Sequence, residues 1–128
     1  MYQYHIKSSF DSAHVLPEYC GRCSNLHGHT WNVHFYVAID DSVINQNELG
    51  LGLDFKELKQ IVHAVCDPLD HQLLNKVIGE PVTAERISHI LRERFVHKLD
   101  PIVKIIPEET YVKVFETVDC GVAYKVQV

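Results

Sequence analysis

One alternating run limits the choice of fold more than anything else in the chain. His27, His29, Trp31, Val33, Phe35, Val37 and Ile39 occupy every second position. In extended backbone, residues two apart share a face. Five of the seven are apolar, so this face is buried and the segment is a half-buried strand, running from about residue 29 to residue 39. The two imidazoles at its entrance point to the same buried side. An unpaired polar ring is costly there, and a metal ion satisfies it. Gly28 between them lets a ligand or another backbone approach closely.

Cys20 and Cys23 stand just upstream, and zinc takes both N and S donors. Two zinc readings follow. In one, Cys20, Cys23, His27 and His29 close a structural site, giving a non-catalytic zinc-stabilised module. Structural sites usually separate their two ligand pairs by a dozen or more residues, and His-x-His is not their usual spacing. In the other, the two histidines take a third ligand from elsewhere and leave a coordination position open for chemistry, with a cysteine free beside it.

The chain has 128 residues, enough for one domain (1–128) with one modest core. A formal net charge of −5 argues against nucleic acid or an anionic membrane as the main partner. No charged start followed by a long apolar run marks a signal peptide or membrane span. Of the four cysteines, Cys66 and Cys120 are isolated. That pattern suits reduced thiols in the cytoplasm better than a disulfide framework.

Tyr2, Tyr4 and Ile6 alternate with Gln3, His5 and Lys7 as a first strand. Phe10, Ser12 and His14 share a parity, and His14 is the natural third metal ligand if this strand and the next form a hairpin. The polar stretch 40–48 reads as a turn. Asp54, with Glu57 three residues on, reads as a capping box. Phe55, Leu58, Ile61, Val62 and Val65 give the following helix its apolar face, and Pro68 ends it. Asp70 beside His71 reads locally as solvated surface or as an acid–base pair. Thr83 suits a second N-cap, with Glu85 in the first turn, and Ile87, Ile90, Leu91, Phe95 and Leu99 form the stripe. In the next strand Glu116 shares the parity of Val112 and Val114. A buried carboxylate needs a partner, because a bare buried charge costs several kcal/mol. Val122, Tyr124, Val126 and Val128 alternate as a last strand.

The order strand, strand, helix, helix, strand, strand implies α+β, an antiparallel four-stranded sheet with two helices on one face. Its two open edges are liabilities unless paired, so a homo-oligomer that closes the sheet is expected.

Six segments in this order resemble the 6-pyruvoyl-tetrahydropterin synthase / 6-carboxy-tetrahydropterin synthase family over nearly the whole length. They are Phe10-Asp11-Ser12-Ala13-His14, Cys23-Ser24-Asn25-Leu26-His27-Gly28-His29, Gly52 to Lys59, Leu69 to Asn75, Pro81 to Glu85, and Val114 to Thr117. The resemblance implies the tunnelling fold (ββααββ), with trimers closing their sheets into a barrel, stacking as hexamers, and active sites between subunits. It implies that His14, His27 and His29 bind Zn2+, and that Cys23, Asp70 and His71 form the catalytic set, the dyad coming from a neighbouring subunit. Glu116 then anchors a pterin ring, with Thr83 and Glu85 as further substrate contacts. The implied substrate is 7,8-dihydroneopterin triphosphate. The three residues between Cys23 and His27 resemble the 6-carboxy enzymes of queuosine (7-deazaguanine) biosynthesis, which release acetaldehyde and triphosphate. The 6-pyruvoyl enzymes use a longer spacing. Arg86 stands where the family commonly has asparagine, and reads as a phosphate contact or as surface charge.

Overall fold

The computed structural model describes residues 1–17 and 25–127. Strands β1 (Tyr2–His14) and β2 (His27–Ile39) form a long antiparallel hairpin, and β3 (Tyr111–Thr117) and β4 (Cys120–Ala123) complete one sheet in the order β1-β2-β3-β4. The β1–β2 register runs without interruption from Tyr2 opposite Ile39 to His14 opposite His27. The second strand therefore opens at His27, two residues before the alternation suggests, because His14 pairs with it there. The last strand is shorter than expected: pairing stops at Ala123 opposite Lys113, and the alternation from Tyr124 onward lies outside it.

Four helices lie between β2 and β3: α1 (Asp41–Asn45), α2 (Phe55–Cys66), α3 (Leu74–Val77) and α4 (Ala84–Leu99). The sequence reading anticipates α2 and α4. The stretch taken as a turn contains α1, whose first N–H groups are satisfied by Asp40 through Ser42 N (2.9 Å). A single turn of helix presents too few apolar positions to register as a period. Asp54 does cap α2, but its carboxylate accepts from Lys56 N at 2.9 Å, one residue short of the Glu57 N–H that a capping box uses. Leu58, Ile61, Val62, Val65 and Cys66 are buried on α2. Phe55 is not: it is 63% exposed and packs edge-on against Tyr4 at 5.8 Å.

Both long helices cover the same face of the sheet. Trp31, Val33, Phe35 and Val37 meet Leu58, Val62, Leu91 and Phe95 in one continuous core. Among the described residues, Arg92 is the cation within this interior, 4% exposed. It is paired through Nε to Thr110 O (2.9 Å) and Nη2 to Pro107 O (3.1 Å), which ties α4 to the entry of β3. Among the described residues, the other face of the sheet carries no helix. Among the described residues, no helix is long and apolar enough to cross a membrane.

Candidate metal centre and its neighbouring dyad

The antiparallel order brings the end of β1, the start of β2 and the end of β3 to one corner of the sheet. His14, His27, His29 and Glu116 meet there, each offering one donor atom within 4.8 Å of the others. Imidazole centroids are 4.4 Å apart for His14–His27, 5.1 Å for His14–His29 and 4.7 Å for His27–His29. Trp31 forms the floor, its ring 5.0 Å from His14 and 5.2 Å from His29.

The hydrogen bonds around the cluster set its tautomers. His14 Nδ1 lies 2.9 Å from Val82 O, and His27 Nδ1 lies 2.7 Å from Asn25 O. A carbonyl can only accept, so each Nδ1 carries the proton and each neutral ring turns the Nε2 lone pair inward. Nε2 of both His14 and His29 is buried without a hydrogen bond. Glu116 Oε1 stands 3.6 Å from the first and 2.8 Å from the second, close but poorly aligned. Burial holds the His29 imidazole below its ordinary value; Glu116 opposes this, while His14 and His27 reinforce it. A neutral imidazole is the form a metal needs. Lone pairs converging in a buried space repel one another unless a cation sits among them, so the donor set fits a divalent metal with N and O ligands, zinc included.

The resemblance makes Glu116 a ring anchor. The structure places its carboxylate against the imidazoles, at the rim of the cluster. Strand parity put it on the inner face, but only the β2–β3 register (Val33 opposite Val114) shows which inner residues it joins. Val82 O, Trp31 and Asn25 O are also parts of the site; the motif segments include Val82 and Asn25, and the alternating run includes Trp31, but none is given a role by the sequence.

Asp70 and His71 lie along the outer edge of β1. His71 Nδ1 is 2.7 Å from Asp70 Oδ2, and Asp70 Oδ1 accepts from Asp11 N at 2.9 Å. Asp70 is held below the usual carboxyl value, chiefly by that backbone N–H and then by His71. His71 is raised, chiefly by its hydrogen bond to Asp70 and by the charge of the same carboxylate. The His71 backbone has φ of 54°, a left-handed conformation uncommon for a non-glycine residue and concentrated at functional positions. It is retained by His71 N donating to Asp11 O at 2.6 Å. Ser12, 6% exposed, bridges the same turn: its hydroxyl donates to Leu69 O and accepts from Gln72 N at 3.1 Å. Ala13 N donates to Gln72 O at 3.0 Å. Thus β1 carries a candidate metal ligand on its inner face and grips the dyad along its edge. The His71 side chain is 79% exposed.

Thr83 caps α4, its hydroxyl accepting from Arg86 N at 3.2 Å. Its neighbour Val82 touches His14, so the helix start lies beside the metal cluster. Glu85 is exposed in the first turn. Arg86 is neither loose surface charge nor a free phosphate contact. Its guanidinium donates to Gly79 O (2.6 Å), Pro81 O (3.0 Å) and Ile78 O (2.7 Å), stapling the 78–81 loop to the helix. Cys20 and Cys23 lie outside the described residues.

Comparison with known proteins agrees with this architecture. The sequence model described as "6-pyruvoyl tetrahydropterin synthase" matches residues 3–127. The 6-carboxy-5,6,7,8-tetrahydropterin synthase of Haemophilus influenzae is 32% identical over 111 residues, 70% of this chain and 78% of that protein. The enzyme of the same name from Synechocystis is 40% identical over 82 residues, 62% of this chain; the match spans 64% of that protein's length. A dihydroneopterin monophosphate aldolase from Pyrococcus furiosus is 33% identical over 99 residues, 77% of this chain and 79% of its own. Among solved structures, the 6-pyruvoyl tetrahydropterin synthase of Caenorhabditis elegans superposes with a TM-score of 0.74 at 23% identity, covering 98% of this chain and 96% of that one. The fold is the tunnelling fold, and the chain belongs to the 6-pyruvoyl tetrahydropterin synthase family.

Proposed function

We propose that this chain is a zinc-dependent lyase that converts 7,8-dihydroneopterin triphosphate and one water to 6-carboxy-5,6,7,8-tetrahydropterin, releasing acetaldehyde and triphosphate. The reaction belongs to queuosine (7-deazaguanine) biosynthesis, in the cytoplasm. The carrying observation is the convergence of His14, His27 and His29, two of them with Nδ1 locked onto a carbonyl, in a chain whose relatives include 6-carboxy-5,6,7,8-tetrahydropterin synthases.

The three imidazoles hold the metal, which when bound supplies Lewis acidity to the side-chain hydroxyls of the substrate. Cys23 takes a proton from the adjacent carbon as a thiolate. His71, oriented through Nδ1 by Asp70, keeps Nε2 free to move a second proton. Asp70 in turn is fixed by Asp11 N, so the imidazole has a defined direction. Glu116 accepts from the N–H edge of the pterin by paired charge-assisted bonds, and Thr83 and Glu85 contact the ring from the start of α4. The exposed dyad and the outer edges of β4 and of β1 short of Asp11, which pair with no further strand among the described residues, favour a trimer-based homo-oligomer, two trimers stacking as a hexamer, with sites between subunits. The substrate is a small molecule, and neither nucleic acid nor membrane is a partner.

The test is mass analysis of products from zinc-loaded protein and 7,8-dihydroneopterin triphosphate without added reductase. Formation of 6-carboxy-5,6,7,8-tetrahydropterin with acetaldehyde supports the reading. A 6-pyruvoyl product shifts the assignment to the tetrahydrobiopterin type. The Pyrococcus furiosus relative supports a second reading, aldol cleavage of dihydroneopterin monophosphate, so that compound is the parallel substrate. No turnover of either, with zinc fully bound, removes all three and returns the metal to a structural role.

A further inference from the structure

What Val82 brings to the metal centre is its carbonyl, and that carbonyl decides which way His14 faces. It holds the proton on His14 Nδ1 at 2.9 Å and so aims Nε2 at the other donors. The oxygen belongs to the Val82–Thr83 peptide, so its direction depends on what fixes the backbone on either side of Val82. The Val82 side chain is fully buried. A buried side chain anchors its own Cα but leaves the adjoining peptide planes free to tilt.

One residue holds both of those planes. Arg86 Nη1 donates to Pro81 O at 3.0 Å, and Arg86 N donates to Thr83 Oγ1 at 3.2 Å. The guanidinium also donates to Gly79 O (2.6 Å) and Ile78 O (2.7 Å). Carbonyls of one loop thus converge on a planar fork, a geometry that guanidinium meets and ammonium does not. The other end of the loop is tied to β1. Asn75 Oδ1 accepts from Val15 N at 3.0 Å, and Asn75 Nδ2 donates to Val15 O at 2.9 Å and to Glu80 Oε1 at 3.2 Å. This amide extends by one step, past His14, the edge pairing that Ala13 N makes with Gln72 O. The chain therefore leaves β1 beside His14 at Asn75 and comes back to the His14 ring at Val82, with Arg86 closing the return. Arg86 does so from an unfavourable place. It lies in the first turn of α4, where the helix dipole opposes a cation. A residue that breaks a local rule is where function is expected.

We propose that Arg86 is a positioning residue of the metal centre: by clamping Pro81 O and Thr83 it aims Val82 O at His14 Nδ1, and so sets how tightly the histidines hold a divalent metal. The inference rests on the three-histidine reading of the centre. Arg86 touches neither the metal ligands nor the space between them; it acts through Val82 alone. Removing a group that bonds directly to a ligating histidine weakens metal binding about 10–100-fold. Arg86 stands one bond further out, so the lower end, about tenfold, is expected. A staple that served stability alone would lower the unfolding temperature when cut and leave the metal affinity of the folded protein as it was.

The experiment is titration of the full-length protein with zinc against a competing chelator, together with the visible absorption of the cobalt-loaded form, which reports ligand geometry. Expected for Arg86→Ala and Arg86→Lys alike are a zinc Kd about tenfold higher, faster metal release and an altered cobalt spectrum. Val65→Ala shortens a buried side chain of α2 away from the site. It lowers the unfolding temperature of the metal-free protein and leaves zinc affinity and the cobalt spectrum unchanged. Parental affinity and spectrum in either Arg86 variant overturn the proposal, as does equal weakening in Val65→Ala. Arg86→Lys keeps the charge and the backbone bond to Thr83, so it carries the test if Arg86→Ala does not fold; failure of both to fold assigns Arg86 to stability and overturns the proposal too. His14→Ala tells the two readings apart. Zinc affinity that survives it removes the three-histidine centre and this inference together, whereas affinity lost there but kept in the Arg86 variants removes this inference alone.

Discussion

Replacing His14 separates the open three-histidine centre from a closed site made with Cys20 and Cys23. The His14 ring is 1% exposed, its Nδ1 is bonded to Val82 O, and its Nε2 is one of the converging donors. Metal that binds the folded state alone stabilises it by RT ln(1 + [L]/Kd), about 4 kcal/mol at a thousandfold excess over Kd. In a domain of this size, about 1 kcal/mol moves the midpoint by roughly 4 °C. Zinc therefore raises the parent's unfolding temperature by roughly 15 °C under those conditions. If His14→Ala weakens Kd about a thousandfold, the free metal only equals the new Kd and the gain falls to about 0.4 kcal/mol, a shift of one or two degrees. The metal-free variant also loses one hydrogen bond and the packing of a buried ring on Trp31, a separate cost of about 2–3 kcal/mol. The zinc-induced shift is thus compared within each protein, by calorimetry with and without chelator. A variant that keeps most of the parent's shift refutes the three-histidine centre and favours Cys20, Cys23, His27 and His29 as the ligands.

Other perturbations follow from the same contacts. Ser12→Ala strands Leu69 O and Gln72 N on the buried side of the 69–72 turn. It should cost about 2–3 kcal/mol in urea unfolding and lower kcat more than metal affinity; a loss under about 0.5 kcal/mol would show the bridge to be unimportant. Asp70→Asn removes the group that raises His71, so the His71 imidazole should titrate at lower pH by NMR. The raised His71 contributes stability fully below its unfolded value, and this fades as pH climbs through the folded one. The lowered Asp70 contributes above its unfolded value and fades as pH falls through the folded one. An unchanged His71 titration in Asp70→Asn would refute the pairing. Arg86→Ala should cost about 1–2 kcal/mol, and Arg86→Lys should not restore it, since one ammonium cannot reproduce the planar fork that reaches three carbonyls; full recovery with lysine would argue against the staple.

Much of the fold is a matter of local periodicity. The alternation through Trp31 to Ile39 places His27 and His29 inward, the parity of Phe10 and Ser12 does the same for His14, and Asp54 and Thr83 mark the starts of α2 and α4. Glu116 falls on the inner face by the same count. These features survive because side-chain direction in a strand and capping at a helix start depend on residues a few positions apart. Where local signals mislead, a distant partner is responsible: Phe55 has helical phase but lies at the end of α2, against Tyr4, and the alternation past Ala123 finds no strand to pair with.

The sequence by itself thus determined an α+β chain with three inward-facing histidines, a carboxylate of the same parity, and family motifs in order. The tertiary structure alone decided which of these groups meet. The contact of Glu116 with His29 depends on the register of β3 against β2. The lock on the His14 tautomer comes from Val82, 68 residues away, and the clasp on the dyad comes from Ser12 and Asp11 across some 60 residues of chain. Periodicity fixes the face on which a side chain lies, whereas its neighbours there are fixed by register and loop closure, which depend on the packing of the whole core.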